Sequence, residues 1–134
     1  QQILAPDNVL SGFTSGEDAI IVQTGWDAEL NSPDYFPKSP FFSEAMQKWL
    51  LDRSPTIIAA DTPSYDDPDG EGMPFLIKYF RVGGVILCPL AGLAQVPFDV
   101  GTLCAAPMKI AGANSAPCRA LIWSEASGGT DREM

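Results

Sequence analysis

The chain has 134 residues, 46% hydrophobic and 19% charged, and its 8 Lys plus Arg against 17 Asp plus Glu give a formal net charge of −9. That apolar content is too high for a disordered tail, and the length supports one ordinary domain or part of a larger one. The few basic residues are scattered, which excludes a phosphate-tracking surface for nucleic acid, and the apolar runs are far shorter than the roughly 20 residues a membrane helix needs.

The first predicted element is a strand over Ala19, Ile20, Ile21, Val22 and Gln23, after the turn signal Ser15-Gly16-Glu17-Asp18 and before Thr24-Gly25-Trp26. A loop rich in Pro, Ser and aromatics covers 27–42. Ser43 before Glu44 suits a helix N-cap with an acid in the first turn. Ala45, Met46, Trp49 and Leu50 then share one helical face that ends near Asp52, and Ser54-Pro55 breaks the helix. Thr56 to Ala60 reads as a strand buried on both sides, which suits the interior of a parallel or mixed sheet. An acidic loop covers 61–72. Pro74 suits the first position of a second helix carrying Leu76, Ile77, Tyr79 and Phe80. Gly83-Gly84 ends that helix, and Val85-Ile86-Leu87 begins a strand. Residues 91–96 form a short connection with room for one helical turn. The last strands lie within 101–111 and 120–123, joined by a turn at 112–117. The sequence shows no domain boundary, and 124–134 reads as a loose tail.

Two counts limit the chemistry. With no histidine, the chain lacks the commonest general base and the commonest zinc ligand. Its three cysteines, Cys88, Cys104 and Cys118, are an odd number and no disulfide framework. Free thiols point to a reducing, cytoplasmic setting, with one pair plus a leftover as the alternative. No basic and apolar leader pattern is present. A start at Gln1 suits either a processed product or a fragment.

The order of three landmarks resembles a known family. Gly16 to Trp26 is similar to the Gly-Asp-Ala…Thr-Gly-Trp segment of the putative cyclase family, which includes kynurenine formamidases and isatin hydrolases. Ile58-Ala59-Ala60-Asp61-Thr62-Pro63-Ser64 resembles its Asp-Thr-Pro-Ser strand and loop. Ala106 to Ala120 resembles its closing hairpin. The resemblance implies an α/β fold, a mixed β-sheet with flanking helices that forms part of a swivelling β/β/α domain, with 1–123 its C-terminal portion. It also implies metal-assisted hydrolysis of amide, lactam or lactone bonds, a divalent ion activating water and a His handling protons. The family's His-x-Gly-Thr-His-x-Asp segment does not occur in this sequence. A chain carrying the missing half, or a self-complementing homo-oligomer, is therefore the expected partner, with a small-molecule ligand possible and no nucleic acid or membrane.

Departures accompany the matches. Aligned on Val85-Ile86-Leu87, the family's metal-binding Glu falls on Cys88 and its His on Leu76. Leucine cannot ligate and one thiolate is not a site, so no metal and no cofactor are assigned to this chain. Any divalent metal would come with a partner, and the catalytic residues are left unknown. Candidates for substrate binding are Trp26, Asp61, Ser64 and Cys88. Each has a plainer reading. Cys88 can be a buried apolar thiol instead of a nucleophile or ligand. Asp61 and Ser64 can form a local Asx or Ser turn. Trp26, with Tyr35 and Phe36, can be core packing in place of a pocket wall. Asp66, Asp67, Asp69 and Glu71 read as a solvated acidic loop, since their spacing does not fit a calcium loop. Arg119 is expected to hold the hairpin through an ion pair or a carbonyl. The expected function is that of a hydrolase-like subunit, with a degenerate binding or scaffold protein as the alternative.

Overall fold

The computed structural model describes residues 3–4 and 18–124. The turn signal at 15–17 and the tail at 125–134 lie outside them. The architecture is mixed α/β: strands β1 (Ile3–Leu4), β2 (Ala19–Val22) and β3 (Phe41–Phe42), helix α1 (Glu44–Arg53), β4 (Ile57–Ala60), helix α2 (Pro74–Arg81), then β5 (Val85–Leu87), β6 (Thr102–Pro107) and β7 (Cys118–Trp123). By its internal contacts the chain divides into two units, Gln1–Ala94 and Gln95–Met134. No helix among the described residues is long and apolar enough to cross a membrane.

The first unit is built on a three-stranded parallel sheet in the order β2-β4-β5. Ile20 pairs with Ile58 and Val22 with Ala60, while Ile58 also pairs with Ile86. β4 is thus the middle strand, as its apolar run predicts, and Ile58, Ala59 and Ala60 are fully buried. β1 and β3 form a separate parallel pair, for which two-residue strands leave no sequence signal.

Both helices follow local rules at their ends. The Ser43 side chain accepts the Met46 N–H at 3.3 Å and caps α1. Ser54 ends that helix in the left-handed region, with φ 46°, and Pro55 follows. The buried face of α1 is Met46 and Leu50, with Trp49 and Leu51 half-buried beside it. Ala45 is exposed, contrary to the sequence reading, because it sits at the margin of the apolar arc. α2 closes in a Schellman turn: Gly83 N–H reaches Phe80 O at 3.0 Å and Gly84 N–H reaches Tyr79 O at 3.1 Å, with Gly83 at φ 88°. A Cβ at Gly84 would run into the Tyr79 ring.

These elements close on one cluster that includes Ile20, Val22, Phe42, Met46, Leu50, Ile58, Tyr65, Phe75 and Tyr79. Phe42, Tyr65 and Phe75 meet ring to ring, and Phe75 stacks on Tyr79 at 6.0 Å. Burying each such side chain is worth about 1.5–3 kcal/mol.

The acidic loop is not uniformly solvated. Asp66 is 7% exposed, and its carboxylate accepts Phe75 N–H at 2.9 Å and Leu76 N–H at 3.1 Å. It caps α2 from outside the helix, because Met73 at the N-cap offers no side-chain acceptor. Asp67, Asp69 and Glu71 are exposed.

The second unit contains the antiparallel β6-β7 hairpin, with Thr102 opposite Trp123 and Pro107 opposite Cys118. The pairing begins two residues earlier in β7 than the sequence suggests. Arg119 is exposed opposite Ala106 and makes no ion pair among the described residues. Among the described residues the hairpin is held by its backbone ladder.

Candidate functional site at the carboxyl ends of the parallel strands

Three chain segments leave the sheet at the same end. β2 runs into Thr24-Gly25-Trp26, β4 into Asp61-Thr62-Pro63-Ser64, and β5 into Cys88. Parallel strands with a common direction bring such loops together, and pockets form there in α/β sheets.

Asp61 lies at the centre and is fully buried. Its carboxylate accepts Thr24 N–H at 2.9 Å on each oxygen, the Thr24 hydroxyl at 2.7 Å and Gly25 N–H at 2.7 Å. These donors are 36 and 37 residues away, so the local Asx turn is not what Asp61 makes. It ties the loop after β4 to the loop after β2. Buried charge demands such a set of donors, since an unpaired carboxylate would be strongly destabilising. The Thr24 hydroxyl oxygen also accepts Trp26 N–H at 3.1 Å and so sets the turn that follows.

Trp26 is half-buried and stacks on Tyr35 at 6.4 Å, and its indole N–H donates to Tyr35 O at 2.9 Å. Tyr35 is 3% exposed, and its hydroxyl points to Asp61 O at 3.4 Å. Burial pushes the Tyr35 phenol up, and the nearby Asp61, Cys88 and Asp27 add to that shift. Asp27 in turn accepts Gly92 N–H at 2.8 Å. Phe36 is 70% exposed, so the aromatic trio of the sequence reading splits, with Phe36 outside the core.

Ser64 is half-buried and shares a 2.7 Å hydrogen bond with the buried Ser39. Thr62 donates to Pro40 O at 2.7 Å, which fastens the same loop to the segment before β3.

Cys88 packs half-buried against the main cluster, as does Leu76. Burial pushes the Cys88 thiol up, against a smaller downward pull from a hydrogen bond with Tyr65. The Tyr65 phenol is held well above its ordinary range, first by burial and then by Cys88. A thiol raised in this way stays protonated at neutral pH and is a poor nucleophile.

The structure thus gathers Trp26, Tyr35, Asp61 and Cys88 around one strand edge, with Ser64 in the loop that Asp61 opens. Sequence reasoning missed Thr24, Ser39 and Tyr65. Thr24 carried a signal, since it sits inside the Thr-Gly-Trp motif. Ser39 and Tyr65 carried none, because their roles depend on partners distant in the chain. A separate groove of about 340 Å³ lies between the start of α1 and the 66–74 loop, lined by Phe41, Gln47, Asp66 and Glu71 among others, and it contains none of the four candidates.

The metal implied by the resemblance is not matched by these donors. The chain has no His. Among the described residues no group of three His, Cys, Asp or Glu could hold an ion. The Asp61 oxygens are already met by N–H and O–H protons, and the Cys88 thiol is protonated.

The comparisons with known proteins bear on this edge. A family model described as putative cyclase matches residues 10–67, which include the first two sequence motifs and Asp61. A solved structure described as a potential metal-dependent hydrolase with cyclase activity superposes with a TM-score of 0.75 at 24% identity, over 90% of this chain and 58% of that one. This chain therefore spans little more than half the length of that structure. No curated protein matches. Over residues 10–67 the chain is thus similar to the putative cyclase family, and its fold is that of this solved structure.

Proposed function

We propose that this chain is one part of a hydrolase-like assembly of the putative cyclase type, acting on amide, lactam or lactone bonds. Any divalent metal and the His that handles protons are contributed from outside these 134 residues, by a chain carrying the missing half. The observation that carries this reading is the convergence of two matched motifs, Thr24-Gly25-Trp26 and Asp61 to Ser64, at the carboxyl ends of paired parallel strands. In that role Asp61 acts through the backbone of Thr24 and Gly25 and holds the Trp26 loop in place. Trp26 and Tyr35 supply an apolar wall for a ring or acyl substituent. Ser64 and Cys88 border the same edge. Three free cysteines favour a reducing, cytoplasmic location.

A second reading has its own support. Leu76 and Cys88, which the sequence resemblance aligns with the family's ligand positions, both pack against the apolar cluster. A degenerate member that keeps the fold and serves as a binding or scaffold subunit would look like this.

Native mass spectrometry of the purified protein, with metal analysis and sequencing of any companion, separates the two. A companion containing His-x-Gly-Thr-His-x-Asp, stoichiometric metal in the pair, and hydrolysis of an amide or lactone by the pair but by neither chain alone supports the first reading. A pair that neither holds metal nor hydrolyses these bonds overturns it in favour of the second.

A further inference from the structure

The loop between β4 and α2 contains a peptide step whose chemistry sets it apart. Asp69-Gly70 is the single Asp-Gly step of the sequence, and no Asn-Gly step occurs. Both residues are exposed. With no Cβ on Gly70, its amide nitrogen approaches the preceding carboxyl carbon with the least hindrance any residue offers.

Other aspartates of the described residues lack one requirement or another. Asp61 is fully buried, with its carboxylate held by Thr24 and Gly25. Asp66 is also buried and holds the Phe75 and Leu76 N–H groups. The Asp27 carboxylate accepts Gly92 N–H. Asp67 precedes Pro68, whose nitrogen has no proton to give up. Asp99 is exposed but precedes Val100, whose branched side chain crowds the approach. At Asp69 the restraint is slight. Gly70 N–H donates to Asp67 O at 3.0 Å. One exposed hydrogen bond of that kind slows release of the nitrogen by about tenfold at most, so the turn delays the reaction without preventing it.

We propose that Asp69-Gly70 is a site of self-modification, at which aspartate converts to isoaspartate through a cyclic imide. The Gly70 nitrogen attacks Asp69 Cγ. An N–C bond forms, the bond from Cγ to the carboxyl hydroxyl breaks, and the amide proton leaves with that hydroxyl as water. Water then opens the imide ring. Attack at the side-chain carbonyl restores aspartate. Attack at the main-chain carbonyl breaks its bond to nitrogen and leaves isoaspartate, joined to Gly70 through Cγ. Water is the only co-reactant, and nothing is oxidised or reduced. The product has one more carbon in the main chain between Asp66, which caps α2, and Pro74, which begins it. Asp67, Gly70 and Glu71 line the groove beside α1, so the change reshapes the wall of that groove. The inference stands apart from the hydrolase reading, because none of the candidate site residues lies in 67–72.

Peptide mapping of the 134-residue chain after weeks of incubation is the test, with circular dichroism to confirm folding. An isoaspartyl peptide spanning Asp69 is expected, equal in mass to its parent and separate from it in chromatography. Methylation by an isoaspartyl methyltransferase, and resistance to an Asp-specific endoproteinase at that position, identify it. A carboxylic acid gives up its hydroxyl more readily than a carboxylate does, so conversion should be faster at about pH 5.5 than at about pH 8. Asp69→Glu keeps the charge and should abolish the product, because the longer side chain closes a larger, less favoured ring. Gly70→Ala should slow it. An Asp69 that stays intact throughout, conversion as extensive at Asp27 or Asp99, a rate that rises with pH, or an isoaspartyl signal that survives Asp69→Glu overturns the proposal.

Discussion

Asp61 and Thr24 are 37 residues apart, and the Asp61 carboxylate accepts both the backbone N–H and the hydroxyl of Thr24 within 2.9 Å. Together with the Gly25 N–H, this fastens the exits of β2 and β4 to each other. The lock is what gives the carboxyl edge of the sheet a defined shape.

Asp61→Ala should cost about 3–5 kcal/mol, since it strands buried N–H groups and removes a charge-assisted set of hydrogen bonds. Asp61→Asn should cost less, because one amide oxygen still accepts. Thr24→Val should cost about 1.5–3 kcal/mol through loss of the hydroxyl bond to the carboxylate. Urea denaturation of the single and double variants measures all three. Additive losses from Thr24→Val and Asp61→Asn would mean that the two residues are not coupled.

Ile58→Asp should prevent folding or cost more than about 4 kcal/mol, as it places an unpaired charge in the middle strand with neighbours on both sides. Ile58→Ala should cost about 2–5 kcal/mol through the cavity it leaves. A thermal melt unchanged by Ile58→Asp would remove β4 from the core.

Gly84→Ala should destabilise by about 1–3 kcal/mol, because the added methyl meets the Tyr79 ring. That ring is anchored by its hydroxyl to Pro55 O at 2.8 Å and cannot swing aside freely. Tyr79→Leu combined with Gly84→Ala should recover part of the loss. Urea melts that show the double variant no better than Gly84→Ala alone would mean that this contact is not the cause.

Cys104 is exposed and Cys88 is half-buried with its thiol pushed up. Iodoacetamide at neutral pH should therefore modify Cys104 well before Cys88, as read by peptide mapping. The Cys88 rate should keep rising above pH 9, beyond the ordinary thiol value of 9.0. The same direction bears on stability. Tyr35, Tyr65, Tyr79 and Cys88 are all raised, so their neutral forms favour the folded state. That contribution is complete below their unfolded values, 9.0 for the thiol and 10.0 for the phenols, and is lost as pH rises through the folded ones. Melting temperature should fall from about pH 9 upward, and Tyr65→Phe should flatten the upper part of that fall.

What the sequence determined by itself was whatever depends on near neighbours. Ser43 before Glu44 announced the start of α1, Pro74 and Gly83-Gly84 bracketed α2, and the apolar run at Ile57 to Ala60 announced a doubly buried strand. Each of these signals acts over a few residues, through caps, backbone preferences and periodicity. The Thr-Gly-Trp and Asp-Thr-Pro-Ser motifs were also legible as separate stretches, and so was the family they resemble. Only the tertiary structure decided which residues meet. Asp66 looked solvated until α2 placed its open N–H groups above it. Phe36, beside the buried Tyr35, turned outward. Asp61 found its donors on another strand, and Ser64 found Ser39. The reason is that a buried polar group is satisfied by whatever the fold brings within about 3 Å, and parallel strands bring together loops that the chain separates by dozens of residues.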